Sequence, residues 1–374
     1  MKTIICHSFP AWDTPYVKST IEIIKRLSSD HRIIFLDYPY TLKDYFANDH
    51  APKTAMFSRK CRVFNTEFGK VEVYNSLPTI PVNWVENKTL FNFLMWINGL
   101  IQSLTISQIR KHVTTEETYV VNAFNPVYGY FTSKYWKGLP ISYYSYDQLD
   151  FTPWASKWGK VFEPLFVRKV NRVIVSSSGL KQKFDALHER VFCVKNGVTL
   201  DHFLGNRMEK THFRKMGYLG AFDERIDLKL LSDVAKAFPS YLIEILGPNK
   251  ITSVSLPPNV IFLGKKKPND LLPVIESWDV ALIPFLSTEF TRAIYPLKIN
   301  EYLAAGKPVI STNFSDLSDF ESVVRVADDS ESFIDGIKKE IRYNNRLKIS
   351  KRVSFAKANS WEHRAGQFVK ALSA

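Results

Sequence analysis

The run from Tyr295 to Thr312, YPLKINEYLAAGKPVIST, constrains the fold of this chain more than any other. Proline is tolerated at the first turn of a helix, where its missing N–H would have no partner, and glycine ends helices by turning left-handed. Pro296 to Ala305 therefore reads as one short helix closed by Gly306. The uncharged, β-branched run Pro308 to Thr312 suits a strand buried on both faces of a parallel sheet. Glu301 then falls one turn inside a helix whose first amides and dipole attract phosphate, and a carboxylate there can accept two hydrogen bonds from a vicinal diol. The layout suits a nucleoside diphosphate. Taken alone it is equally the pattern of a surface helix with a solvated Lys298, because short motifs match by chance.

The same alternation of strand and helix runs along the whole chain, which implies an α/β fold with parallel sheets and right-handed crossovers. Strand-like runs occur at 3–6, 32–36, 71–74, 118–121, 140–144, 173–175 and 192–194 in the first half, and at 216–219, 242–246, 260–263, 280–283 and 309–311 in the second. Helical spacing is clearest from Tyr16 to Ser28, where Val17, Ile21, Ile24 and Leu27 share one face. Further helices are expected at 228–237, 270–277 and 332–343, with a final helical stretch from Ser350 to Leu372. The 374 residues exceed what one core usually supports, so two domains are expected. Their bounds read as 1–198 and 214–355, joined by a polar linker at 199–213, with a C-terminal helix at 356–374.

Lys and Arg exceed Asp and Glu by 13 overall. Counted by halves, the excess is 25 minus 16 for residues 1–200 and 25 minus 21 for the rest. The positive first half would draw anionic partners such as a membrane surface or a lipid-linked phosphate sugar. Nucleic acid is disfavoured, since no helix-turn-helix, zinc or aromatic-platform motif accompanies the charge. Cys6, Cys61 and Cys193 are scattered without metal-type spacing, which fits a reducing compartment. The opening Met1-Lys2-Thr3 runs straight into an apolar strand, so a cytoplasmic location is expected, with peripheral contact at the inner membrane face. Thr89 to Ile109 is uncharged and long enough to span a bilayer, yet it carries Asn98, Gln102 and Thr105 at mid-span. A largely buried soluble helix is the favoured reading and a helix lying on a membrane interface the alternative.

Four further segments, in order, carry a resemblance: KMGYLGAF at 215–222, NVIFLG at 259–264, SWDVALIPF at 277–285, and RVIVSSSGL at 172–180 with VKNGV at 194–198. With the 295–312 run, the chain resembles a glycosyltransferase of GT-B fold, two Rossmann-like domains facing across a cleft, in the GT4-like group 1 family. The Trp12-Asp13 pair in the first loop is closest to glycosyltransferases of the bacterial teichuronic-acid and exopolysaccharide type. The resemblance implies a metal-independent hexosyl or related transfer from a UDP- or GDP-sugar to a cell-surface polysaccharide or glycolipid precursor, with no cofactor beyond the nucleotide sugar. It places the donor on the second domain, at Gly220, Gly264, Lys265, Pro296, Leu297, Lys298 and Glu301, with Glu301 on the ribose.

Three departures accompany it. The family's second glutamate, eight positions before the ribose one, is Ala293, and its usual arginine after the first glycine is Ala221. The family's nearby lysine falls near Asp227, so Arg225, Arg292 and Lys298 are left to meet the diphosphate. For the acceptor side, Asp13, Asp147 and Asp150 follow strands and are candidate catalytic carboxylates, although Asx turns and helix caps use aspartate in the same places. Two alternatives remain at this point: a sugar-nucleotide 2-epimerase of the same fold, or a sugar-nucleotide binder without activity.

Overall fold

A computed structural model describes residues 1–13, 18–47, 51–58, 60–152, 155–205, 213–251 and 254–374. Tyr16 and Val17 of the expected first helix, and residues 206–212 of the expected linker, lie outside the described residues. The chain divides into two compact units, residues 1–195 with 364–374 and residues 196–363.

The first unit carries eight strands: β1 (Thr3–Ser8), β2 (Arg32–Leu36), β3 (Arg62–Asn65), β4 (Lys70–Tyr74), β5 (Thr118–Ala123), β6 (Ile141–Ser145), β7 (Arg172–Val175) and β8 (Val191–Cys193). Their order is β3-β4-β2-β1-β5-β6-β7-β8, parallel except for the β3-β4 pair. Central runs such as Ile4-Ile5-Cys6 and Ile33 to Leu36 are wholly buried, as uncharged strands covered on both faces must be. The antiparallel β3 escapes a search for buried runs because it is an edge strand whose residues alternate between half-buried and exposed.

The helix Lys88–Arg110 departs from the favoured expectation of a largely buried soluble helix, since much of it is exposed. Its buried face mixes Asn98, Gln102 and Thr105 with Phe91, Met95, Ile106 and Ile109, while Phe93, Trp96, Leu100 and Leu104 are exposed. Asn98 is held from both sides, its Oδ1 accepting from the Ile80 amide at 2.7 Å and its Nδ2 donating to the Ile80 carbonyl at 2.9 Å. The buried amide is satisfied by the irregular 75–80 segment, which leaves the apolar stripe facing outward.

The second unit has six parallel strands: β9 (Lys215–Leu219), β10 (Leu242–Leu246), β11 (Val260–Gly264), β12 (Val280–Ile283), β13 (Val309–Thr312) and β14 (Arg325–Ala327), in the order β11-β10-β9-β12-β13-β14. The final helical stretch is two helices, Arg346–Ala358 and Trp361–Ser373. The break falls where the backbone leaves the helical ladder to pair with Val198, whose amide donates to the Asn359 carbonyl at 3.1 Å and whose carbonyl accepts from Trp361 at 3.3 Å. Beyond it, Phe368 packs edge-on to Tyr144 in the first unit, and Arg172 donates to the Leu372 carbonyl at 2.6 Å.

In both sheets the first strand has neighbours wound to opposite sides, β2 and β5 beside β1, and β10 and β12 beside β9. Open α/β sheets bind ligands outside the carboxyl ends of their strands at such a reversal.

Candidate functional site

In the second unit the reversal lies between the loops after β9 and β12. Gly220 follows β9 with φ +153°, and Gly247 follows β10 with the same φ. A Cβ on Gly247 would stand 2.0 Å from the Gly220 carbonyl oxygen, so the two loops approach as only glycine allows. The turn that follows is latched to the loop after β12: Asp227 donates its amide to the Pro284 carbonyl and Leu286 donates to Arg225, each at 2.8 Å.

The helix read from Pro296 to Ala305 runs from Leu297 to Ala304, with Pro296 as its N-cap and Gly306, φ +71°, just beyond the end. Gly306 donates to Leu303 at 3.0 Å and Lys307 to Tyr302 at 2.9 Å, the paired bonds of a Schellman ending. Tyr302, fully buried, accepts the Leu219 amide on its hydroxyl at 2.7 Å. That bond ties the second turn of the helix to the last residue of β9, and so sets the Leu297 and Lys298 amides at a fixed place in this unit. Sequence reading missed Tyr302, whose only signal was its position next to Glu301.

Glu301 is 15% exposed. Its Oε2 lies 3.0 Å from Lys298 Nζ yet receives no aligned hydrogen bond, and Oε1 accepts from the same ammonium at 3.3 Å. A half-buried carboxylate with a poorly satisfied oxygen is suited to hydroxyl donors, and Lys298 is the cation that would follow a phosphate if released.

The other expected donor residues are less closely gathered. Arg225 donates Nε and Nη2 to Asp223 at 2.7 and 2.9 Å and lies over the Phe285 ring, 5.4 Å from its centroid. Burial of Asp223 would raise its carboxyl, but Arg225 and Lys250, 3.6 Å away, hold it below the usual carboxylate range. Asp223 therefore orients Arg225 and offsets part of its charge, a role the sequence did not disclose. Arg292 ends the short helix Glu289–Arg292, is exposed, and donates to Ser287 at 3.3 Å. Gly264, φ +70°, and the exposed Lys265 close edge strand β11, two strand spacings or about 10 Å from β9.

In the first unit Asp13 follows β1 at the reversal, where its Oδ2 accepts from Arg62 at 2.8 Å. Arg62 also donates to Asp37 at 3.2 Å, and Asp37 takes the Trp12 and Tyr38 amides at 2.8 and 2.9 Å and the Asn75 amide group at 3.0 Å. Burial pushes the Asp37 carboxyl up to about 6 against those donors. Asp37 was missed, although a lone carboxylate directly after an apolar strand was its signal. His7 is buried, which holds its imidazole down at about 4 and neutral at ordinary pH. Asp147 follows β6 and accepts from the Gln148 amide at 2.8 Å. Asp150 is engaged elsewhere, accepting from Lys183 at 3.0 Å, while Lys183 also reaches the buried Glu163 at 2.8 Å and Glu163 accepts from Tyr143 at 2.6 Å. Asp13 and Asp150 thus belong to separate clusters, each a pair of carboxylates sharing one cation. Among the described residues no three His, Cys, Asp or Glu side chains converge as a metal would need.

Comparison with known proteins bears on the fold and on the second unit. A family described as glycosyl transferases group 1 matches residues 215–342. A Bacillus subtilis (strain 168) protein described as a teichuronic acid biosynthesis glycosyltransferase, TuaH, is 28% identical over 176 residues, 42% of this chain. That stretch spans 44% of the relative's length. Among solved structures, sucrose-phosphate synthase from Thermosynechococcus elongatus superposes with a TM-score of 0.68 at 12% identity, over 99% of this chain and 98% of that one. The Anabaena protein HepE in complex with UDP gives 0.65 at 13% identity over the whole of both chains. Residues 215–342 form a group 1 glycosyltransferase domain, and the chain as a whole has the GT-B fold.

Proposed function

We propose that this protein transfers a sugar from a UDP- or GDP-linked donor, held by the second unit, to a glycan or lipid-linked precursor of a cell-surface polysaccharide. The observation that carries the reading is Glu301, half-buried on a helix start that Tyr302 fastens to the end of β9. In the reaction the bond between the anomeric carbon and the diphosphate oxygen breaks while an acceptor hydroxyl bonds to that carbon and gives up its proton. Negative charge grows on the diphosphate, and meeting it is the largest task of the site. Lys298, the Leu297 and Lys298 amides and Arg292 are assigned to it, with Arg225 steered by Asp223. These cations make the transfer independent of a metal in this proposal. Gly264 and Lys265 lie beside the base, and Glu301 accepts from the two ribose hydroxyls. On the first unit Asp13, Asp147 and Asp150 are the carboxylates assigned to the acceptor, Asp13 paired with Arg62 and Asp150 with Lys183.

Ala293 and Ala221, where the family carries charged residues, favour one second reading, a protein that binds the donor without turning it over. Mass spectrometry of UDP- and GDP-sugars incubated with the protein alone separates the cases. Slow hydrolysis to nucleoside diphosphate supports a transferase, an isomerised sugar an epimerase, and an unchanged donor that still binds in calorimetry the inactive binder.

A further inference from the structure

The helix Lys88–Arg110 buries a mixed face, Phe91, Met95, Ile106 and Ile109 beside Asn98, Gln102 and Thr105, and leaves a second, apolar stripe exposed. Phe93, Trp96, Leu100 and Leu104 recur at helical spacing and are 55%, 48%, 38% and 45% exposed, with Leu90, 40% exposed, one turn earlier. From Leu90 to Leu104 the stripe is about 21 Å long. Scattered exposed apolar residues need no explanation, but a continuous stripe of this length marks a contact surface. Phe93 and Trp96 stack on each other, ring centroids 6.2 Å apart, and leave their outer faces open.

The surroundings indicate what covers it. Trp84, 67% exposed, stands just before the helix. The helix of Leu42–Ala47 buries none of its side chains and exposes Leu42 and Phe46. Its start is brought beside the middle of the long helix, because Thr41 pairs with Thr79 while the next residue, Ile80, is clasped by Asn98. Residues 73–115 contain one acidic side chain, Glu86, against Lys88, Arg110 and Lys111 at the helix ends. An apolar stripe rich in Trp, Phe and Leu with cations at its ends is complementary to an anionic lipid surface. The inward bonds of Asn98 hold the helix to the protein, so it lies along the surface and does not span it.

We propose that the outward face of the Lys88–Arg110 helix docks this protein on an anionic lipid bilayer, Phe93, Trp96, Leu100 and Leu104 entering the interface and Lys88 and Lys111 meeting headgroup phosphates. The docking does not depend on the nature of the reaction. Flotation of the full chain with vesicles of equal phosphatidylglycerol and phosphatidylcholine, and with phosphatidylcholine alone, tests it. Strong binding to the anionic vesicles that falls with added salt is expected. Phe93→Ser with Trp96→Ser removes only exposed side chains and is expected to weaken binding at least tenfold while leaving the melting temperature and nucleotide affinity unchanged. Lys88→Gln with Lys111→Gln is expected to remove most of the preference for anionic lipid. No flotation of the wild type with anionic vesicles, or equal flotation of the folded Phe93 and Trp96 variant, overturns the proposal. So does a concentration-dependent dimer that the same two substitutions abolish, since the stripe then serves a second copy of the chain.

Discussion

A single carboxylate bears most of the functional reading. Glu301→Ala removes two charge-assisted hydrogen bonds to a ribose diol and is expected to weaken UDP or GDP binding by about 3 kcal/mol, on the order of 100-fold, in calorimetry. Stability should change by less than about 1 kcal/mol, because the partner Lys298 is more than a third exposed. Unchanged nucleotide affinity would remove Glu301 from the site. Asp37 offers a test in the other unit. Its folded carboxyl is raised to about 6 by burial, above its ordinary value of 3.8. The folded state therefore holds its proton more tightly than the unfolded chain does. The stability this contributes is full below pH 3.8 and lost as pH rises through about 6. Between pH 4 and 7 the unfolding free energy of wild type should fall relative to Asp37→Asn by on the order of 3 kcal/mol, read by urea denaturation at both pH values. A slope of opposite sign would mean that Arg62 and the amide donors outweigh burial.

At the scale of elements, the decisive contact is between the end of β9 and the 297–304 helix. Tyr302→Phe keeps the ring packed against Trp278 but strips the Leu219 amide of its acceptor in a buried setting. The expected cost is about 1–3 kcal/mol of stability, seen as a lower denaturation midpoint. Nucleotide affinity should fall with it, since the helix start loses its tether; a variant that loses stability but binds UDP and GDP unchanged would show that the helix is held in place without this bond. The helix itself was legible beforehand because its start and stop signals, Pro296 and Gly306, are local. Its tether was not, since it joins residues 83 positions apart. The Lys88–Arg110 helix was expected to be largely buried, and its exposed stripe was not legible for a related reason: length and composition do not say which face is covered, whereas the bonds of Asn98 to Ile80 help decide it.

For the whole molecule, two sheets grow from one chain whose last segment returns to the first unit. Deleting residues 364–374 removes the buried Phe368 and Leu372 and leaves Arg172 without the Leu372 carbonyl. Losing two large core side chains is expected to destabilise the first unit by several kcal/mol, roughly 4, so that its melting transition drops well below that of the second. A single unshifted transition would show that the segment contributes no core. Runs such as Ile33 to Leu36 and Val280 to Ile283, the strand and glycine turn at 215–222 and the 295–312 motif are determined by the sequence alone, because strand burial, helix capping and left-handed glycine act within a few residues. The tertiary structure alone decided that Gly247 closes on Gly220, that Asp37 shares Arg62 with Asp13, and that Asp150 pairs with Lys183. Most of those partners are brought together by strand order across a sheet, and no local pattern encodes which carboxylate a given cation will meet.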